Sequence, residues 1–181
     1  TEERVCSVLA DGGRYVFRVR CADDRKEPGA AMTDGVASVA GAGYVYARGS
    51  VAGIDGLGQS GRAVRLAKGC RAEYLLRNDT AGKADIVACF LPQHPAAAKT
   101  LRFRLTVDGE DRGLFDIRET FGEEPWKVNV LRNQARRGVR LHLSEGVHRI
   151  GVEPVDEAML LDGIFIDRLH RNPYVLQGFT R

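Results

Sequence analysis

The sequence predicts an all-β protein, an antiparallel jelly-roll-like β-sandwich with little helix. Three observations carry that expectation. Apolar and polar residues alternate in short runs, most clearly at 101–107 and 139–143. Turn-forming Gly, Asp and Pro residues punctuate the chain between these runs at regular spacing. Helical periodicity is weak throughout; its best candidate, LRNQARR (131–137), lacks an apolar stripe long enough to bury. About a dozen short strands separated by such turns suit two packed antiparallel layers.

Each element has a local reason. RVCSVL and RYVFRVRC flank ADGG and read as a hairpin. The polar stretch 22–35, with its Pro28-Gly29 pair, reads as a linker or long loop. Residues 1–34 are therefore assigned to an N-terminal hairpin and linker, either the edge of a preceding domain or part of the sandwich. Residues 35–181 are assigned to the sandwich itself. ASVAGAGYVYA, AVRLA, AEYLLRN and ADIVACFL supply its next strands. In LRFRLTVDGEDRGLFDI, Leu101, Phe103, Leu105 and Val107 share one face, Asp108-Gly109 turns the chain, and Leu114-Phe115 begins the return. WKVNVL, with Trp126, Val128 and Val130 alternating against Lys127 and Asn129, reads as a strand. VRLHLSEGVHRIGVEPVD is a second hairpin around Ser144-Glu145-Gly146. MLLDGIFIDRL does not alternate, as expected of a strand buried on both faces.

The stretch GIDGLGQSGRAV (53–64) contains G-x-G-x-x-G at Gly56, Gly58 and Gly61. Gly53 and Gly58 also have phosphate-loop spacing, with Gln59 where the lysine belongs. Such loops bind phosphate through backbone N–H groups that converge at the start of a helix. Here Ala63, Val64 and Leu66 run into the turn pair Lys68-Gly69 and a second short strand. With neither helix nor lysine, no nucleotide is expected, and the loop is read as a connection between strands.

The totals narrow the function further. A composition 44% hydrophobic and 28% charged can bury a core within 181 residues. No apolar run has the length of a membrane span. A net charge of +3, with arginines spread among acids, gives no footprint for nucleic acid. With Thr1 in place of an initiator methionine, a processed chain or a fragment of something longer is expected. Cys6, Cys21, Cys70 and Cys89 form no C-x-x-C pair, so no zinc site is expected; Cys6 and Cys21 could meet across the first hairpin.

No catalytic residue, cofactor or metal ligand is assigned. A glycosidase needs two carboxylates across a cleft. Glu123-Glu124 and Asp156-Glu157 are adjacent acids in polar turns, read as solvated charge. His94, His142, His148 and His170 lack metal-ligand spacing, and His148 is read as a hydrogen-bonded structural residue. Ser60 in G-Q-S-G is not a nucleophile elbow, and no helix follows it. Trp126, the sole tryptophan, is either core or a platform for a sugar ring, as are Tyr44 and Tyr46, expected on one strand face. Arg118, Arg132 and Arg136 near the loops are candidates to clamp a carboxylate through paired N–H groups.

Four pieces occur in order: GLGQSGRAV (56–64), LRFRLTVDGEDRGLFDI (101–117), WKVNVLRN (126–133) and RLHLSEGVHRIGVEPVDEAMLLDGIFID (140–167). Together they resemble the C-terminal β-sandwich domain of glycoside hydrolase family 115, whose enzymes remove glucuronic acid or its 4-O-methyl form from xylan. The resemblance spans roughly residues 35–168, and it lies in the order and spacing of motifs that are individually weak. It implies a galactose-binding-domain-like, carbohydrate-binding-module-like accessory domain of an α-glucuronidase in bacterial polysaccharide degradation. In the family, catalysis belongs to a separate, larger barrel domain, so this chain alone is not expected to be an enzyme. The implied partners are glucuronoxylan and the parent catalytic domain or a homodimer partner, with no nucleic acid and no membrane. The implied location is extracellular or periplasmic. ASVAGAGY departs from the family: Ala40, Ala42 and Gly43 stand where two glutamates and a histidine would be, which removes carboxylates that calcium requires. The competing expectation is an unrelated extracytoplasmic sandwich, an interaction or adhesion module without a glycan ligand.

Overall fold

The computed structural model describes residues 2–10, 13–21 and 29–170. Strands β1 (Glu2–Ala10) and β2 (Gly13–Cys21) form a separate two-stranded antiparallel hairpin. Its register places Cys6 opposite Phe17 and Cys21 opposite Glu2. Four strand positions, about 13 Å, separate the two cysteines, and a disulfide spans less than 7 Å between Cα atoms. The register therefore does not bring the two cysteines together across this hairpin.

The sandwich uses β3 (Met32–Thr33), β4 (Val36–Ala40), β5 (Tyr46–Arg48), β6 (Val51–Asp55), β7 (Arg62–Leu66), β8 (Arg71–Asn78), β9 (Gly82–Phe90), β10 (Arg102–Val107), β11 (Glu110–Asp116), β12 (Ala135–Leu143), β13 (Gly146–Pro154) and β14 (Met159–Asp167). The smaller sheet has the order β11-β10-β13-β8-β5. The larger runs β12-β9-β14-β4-β3, with β7 joining β14 beside β4 and β6 joining β7. All pairings between these strands are antiparallel. This is the antiparallel β-sandwich expected. It takes in residues before 35: β3 pairs with β4, and Ala30 exchanges backbone hydrogen bonds with Leu75 and Arg77.

The core lies where the alternation put it. Phe103, Leu105 and Val107 are buried, as are Ile150 and Val152 on β13. Phe90 on β9 meets Phe103 on β10 at 4.6 Å between ring centroids, joining the two sheets. Tyr74 is fully buried and donates its hydroxyl to the Gly41 carbonyl at 2.7 Å; burial pushes its phenol pKa upward. His148 is buried at the sheet end, with Nδ1 2.7 Å from Asp108 and Nε2 3.0 Å from the Ser144 carbonyl. Asp108 also accepts from the Arg149 N–H, so one imidazole ties the turns of both hairpins together.

One segment departs from its expected form. Residues 126–131, read as a strand, belong to helix α1 (Glu124–Leu131). Pro125 in the first turn presets the helical φ and forfeits an N–H that has no helical partner there. LRNQARR is not helical beyond Leu131: Asn133 takes φ +49°, and Ala135 opens β12. The strand-like alternation of WKVNVL was outweighed by this start signal.

Removing the His148 imidazole would take one hydrogen bond from Asp108, which keeps the Arg149 N–H, and one from the Ser144 carbonyl, which keeps Asn78 Nδ2. His148→Ala is expected to lower unfolding stability by about 1–3 kcal/mol, read from the urea denaturation midpoint.

Candidate functional site

The glycine loop is a cradle for an internal carboxylate. Gly56, Gly58 and Gly61 all have positive φ, between 68° and 80°. This curls the loop so that the N–H groups of Gln59 and Ser60 each donate to Asp162, both at 3.0 Å. A Cβ on Gly58 would lie 2.1 Å from the Asp162 carboxylate, so the close approach requires glycine. The residues after the loop form β7, with no helix to hold a phosphate. The donors that resemble a phosphate loop point at the chain's own Asp162.

Asp162 is fully buried and also accepts from Gln134 Nε2 at 2.5 Å. The carboxamide then turns its oxygen outward to accept from Arg136 Nε at 2.9 Å. The Arg136 guanidinium lies over Phe165, its central carbon 5.4 Å from the ring centroid. A second contact fixes the same segment: the Gln59 side chain donates to the Arg132 carbonyl.

Beside Arg136 opens a cleft of about 530 Å³ over the outward face of β9, β12 and β14, with α1 along its wall. Its floor is a cross-strand row: Gly138 opposite Val87, and Val87 opposite Phe165. Gly138 admits no side chain, since a Cβ there would meet the Ile86 carbonyl oxygen at 1.9 Å. Arg140, Asp85, Asp167 and His170 line the cleft's other end. Asp85 accepts from His170 at 2.5 Å and pairs with Arg140 at 3.5 Å. Arg136 and Arg140 stand four residues apart on one strand, about 13 Å. The cleft thus has an apolar floor and mixed charge at both ends, with Arg132, Arg136 and Arg137 beside Glu119 and Glu124 at the end near α1.

The structure divides the sequence-predicted candidates. Arg132 and Arg136 both line this cleft. Arg132 is only 7% exposed and donates to the Gln134 carbonyl at 2.7 Å and to Asn129 Oδ1 at 2.8 Å. Burial pulls its pKa down to about 10, and the neighbouring Arg136 adds to the effect. Trp126 and Arg118 meet at a smaller crevice of about 120 Å³. Trp126 is half-buried and tilts against exposed Phe121 at 4.7 Å, so it belongs neither to the core nor to the cleft. Tyr44 follows the 3-10 turn Gly41–Gly43 and packs toward the core, whereas Tyr46 is exposed on β5 opposite Glu73. The two tyrosines therefore do not share a face, and neither lines either cavity.

The paired acids hold loops. Asp156 accepts from Arg102 at both carboxylate oxygens, from the Arg102 N–H and from Thr100. The Arg102 hydrogen bonds hold its carboxyl well below the usual carboxylate range. Glu157 accepts the backbone N–H groups of Ala96, Ala97 and Ala98, which lower its pKa. Glu123 is the N-cap residue of α1 and Glu124 its first residue. Sequence reasoning missed Asp162, Gln134, Phe165 and Asp85. An acid inside the apolar run LLDGIF was the available signal for Asp162; the others meet only across strands.

A profile of the glycosyl hydrolase family 115 C-terminal domain matches residues 52–174. The chain belongs to that family. Among solved structures, this family 115 domain is similar to a 4-O-methyl-alpha-glucuronidase, BtGH115A, with specificity for decorated arabinogalactans. The TM-score is 0.64 at 26% identity, covering 80% of this chain and 19% of that one. The domain also resembles the C-terminal family 6 carbohydrate-binding module of LamC, a marine laminarinase from Zobellia galactanivorans (TM-score 0.55, 15% identity, 74% of this chain and 99% of that one). A family 35 carbohydrate-binding module from Clostridium thermocellum matches with TM-score 0.53 and 11% identity over 72% of this chain and 96% of that one. At those identities the last two show the fold alone. No curated protein sequence matches the chain.

Two tests follow from this geometry. Gly58→Ala combines a positive φ with a clash against Asp162 and is expected to cost at least about 2 kcal/mol, measured by urea denaturation. The Asp156 carboxyl is more acidic folded than unfolded. Its ion pair therefore stabilises the fold above the ordinary carboxylate range, and that contribution is lost as pH falls through and below it. Asp156→Asn should flatten the acid limb of the stability-against-pH curve and leave its shape unchanged near neutrality.

Proposed function

We propose that this family 115 domain is the non-catalytic carbohydrate-binding accessory domain of a larger, extracellular or periplasmic α-glucuronidase. The domain takes a polysaccharide bearing uronic acid, of the glucuronoxylan type, in the cleft beside α1. The observation that carries this reading is the cleft itself. An apolar sheet floor suits the faces of sugar rings, and the Arg136 end suits a carboxylate through charge-assisted hydrogen bonds. Membership of a glycosyl hydrolase family and the module-like fold agree with it. The similar glucuronidase acts on decorated arabinogalactans, so acidic arabinogalactan is the competing polymer.

A second reading, packing against the parent catalytic domain or a second copy, is favoured by one feature. Helix α1 is inside out: Asn129 is 5% exposed, while Leu131 is 77% and nearby Phe121 78% exposed. An apolar patch turned to solvent marks a protein contact.

Affinity electrophoresis separates the two. Binding to glucuronoxylan is expected at a dissociation constant on the order of 0.1–1 mM, since a few contacts must offset the ordering cost. It should weaken with salt and exceed binding to neutral arabinoxylan. Arg136→Ala should abolish the preference for the acidic polymer, whereas Trp126→Ala, folded by circular dichroism, should keep it. A wild-type protein retarded by neither xylan nor acidic arabinogalactan would favour the packing role.

A further inference from the structure

We infer that Gln134 is the positioning residue for acidic-sugar recognition, orienting Arg136 on behalf of the cleft. The inference rests on the reading of Arg136 as the uronate-facing arginine. Its own evidence is the bonding of Gln134. The side chain is fully buried between an acid and a base, 2.5 Å from Asp162 and 2.9 Å from Arg136 Nε. A carboxylate partner needs a donor and a guanidinium partner needs an acceptor. A carboxamide is the side chain of this length that presents one of each. Glutamate would set a second acid against Asp162, and methionine or leucine would satisfy neither partner.

The orientation this produces is specific. The Nε bond to Gln134 and the stack on Phe165 together fix the guanidinium plane at the cleft wall. With Nε on Gln134 and Nη2 buried, the guanidinium has a single orientation, and a cation held in place loses less freedom when it meets a carboxylate than a mobile one does. Gln134 is in turn immobile because Asp162 is held by two loop N–H groups at 3.0 Å. The glycine loop, remote in sequence from β12, thereby sets the geometry of the anion-reading end. Arg132 shares the arrangement, since its Nε donates to the Gln134 carbonyl at 2.7 Å.

The test compares the whole chain with Gln134→Met and Arg136→Lys on glucuronoxylan and neutral arabinoxylan. Gln134→Met should reduce glucuronoxylan binding by about tenfold, the scale of one charge-assisted hydrogen bond, and leave arabinoxylan binding within about twofold. Adding Gln134→Met to Arg136→Lys should have no further effect on the preference, because the guanidinium it orients is gone. A stability role alone would lower the denaturation midpoint and leave the preference intact, which would overturn the inference. A second measurement needs no ligand and no variant: in the wild-type protein, the Arg136 Nε–H nuclear magnetic resonance signal should be resolved and protected from solvent exchange. A rapidly exchanging Nε–H would refute the positioning role even if Gln134→Met does not fold. A wild type without preference for the acidic polymer, but with a protected Nε–H, would sink the uronate reading and leave the orientation of Arg136 standing.

Discussion

A buried carboxylate organises this sandwich. Asp162 lies in the middle of the central strand of the larger sheet, with no exposure to water. An ionised acid in that place is costly unless its oxygens are fully hydrogen-bonded. Two N–H groups of the glycine loop and the Gln134 carboxamide meet that demand. The loop must come within a Cβ radius of the acid, so position 58 is glycine. The loop's shape and its glycine content thus follow from one constraint.

The same residue governs the strand that carries it. The β14–β9 register shifts between Leu161 and Gly163, leaving Asp162 as the extra residue. Before the bulge the core residues are odd-numbered, Met159 and Leu161; after it they are even-numbered, Ile164 and Ile166. The partner on the other edge also changes there, from β7 over 159–161 to β4 over 163–167. Gly41 fits the junction because a Cβ would meet the Leu161 carbonyl oxygen at 2.2 Å, and the Tyr74 hydroxyl closes over its carbonyl. The absence of alternation in MLLDGIFID therefore has two causes, burial on both faces and a change of parity at the bulge.

What was legible in the sequence was local. The hairpins at 101–117 and 139–154 carry their faces and turns within a few residues, and the family resemblance rests on such pieces. The fate of the glycine loop could be read from the strand that follows it. The cleft was not legible, because its floor of Gly138, Val87 and Phe165 comes from three strands that meet through pairing alone. Arg132 and Arg136 were identified from their chemistry, yet their unequal exposure depends on a buried network that no spacing announces. Helix α1 misled for another reason. Its six residues WKVNVL satisfy a strand pattern, and only Pro125 and the extended Glu123 cap speak for a helix.

That helix shows how far the Asp162 network reaches. Eight residues are too few for a helix to persist in water by its own hydrogen bonds. Its contact with the domain is also not the usual apolar stripe, since Leu131 and Val130 face solvent. What is buried is Asn129: its side chain accepts from Arg132 and its carbonyl from the Gln134 N–H. The Arg132 carbonyl accepts from Gln59 in the glycine loop, and the Gln134 side chain reaches Asp162. The helix is therefore docked by polar bonds to the segment that the buried acid organises, with Val130 and Leu131 left facing outward. The cleft wall and the exposed Val130 and Leu131 are two sides of this one short element. A change at Asp162 would disturb both, although neither touches it.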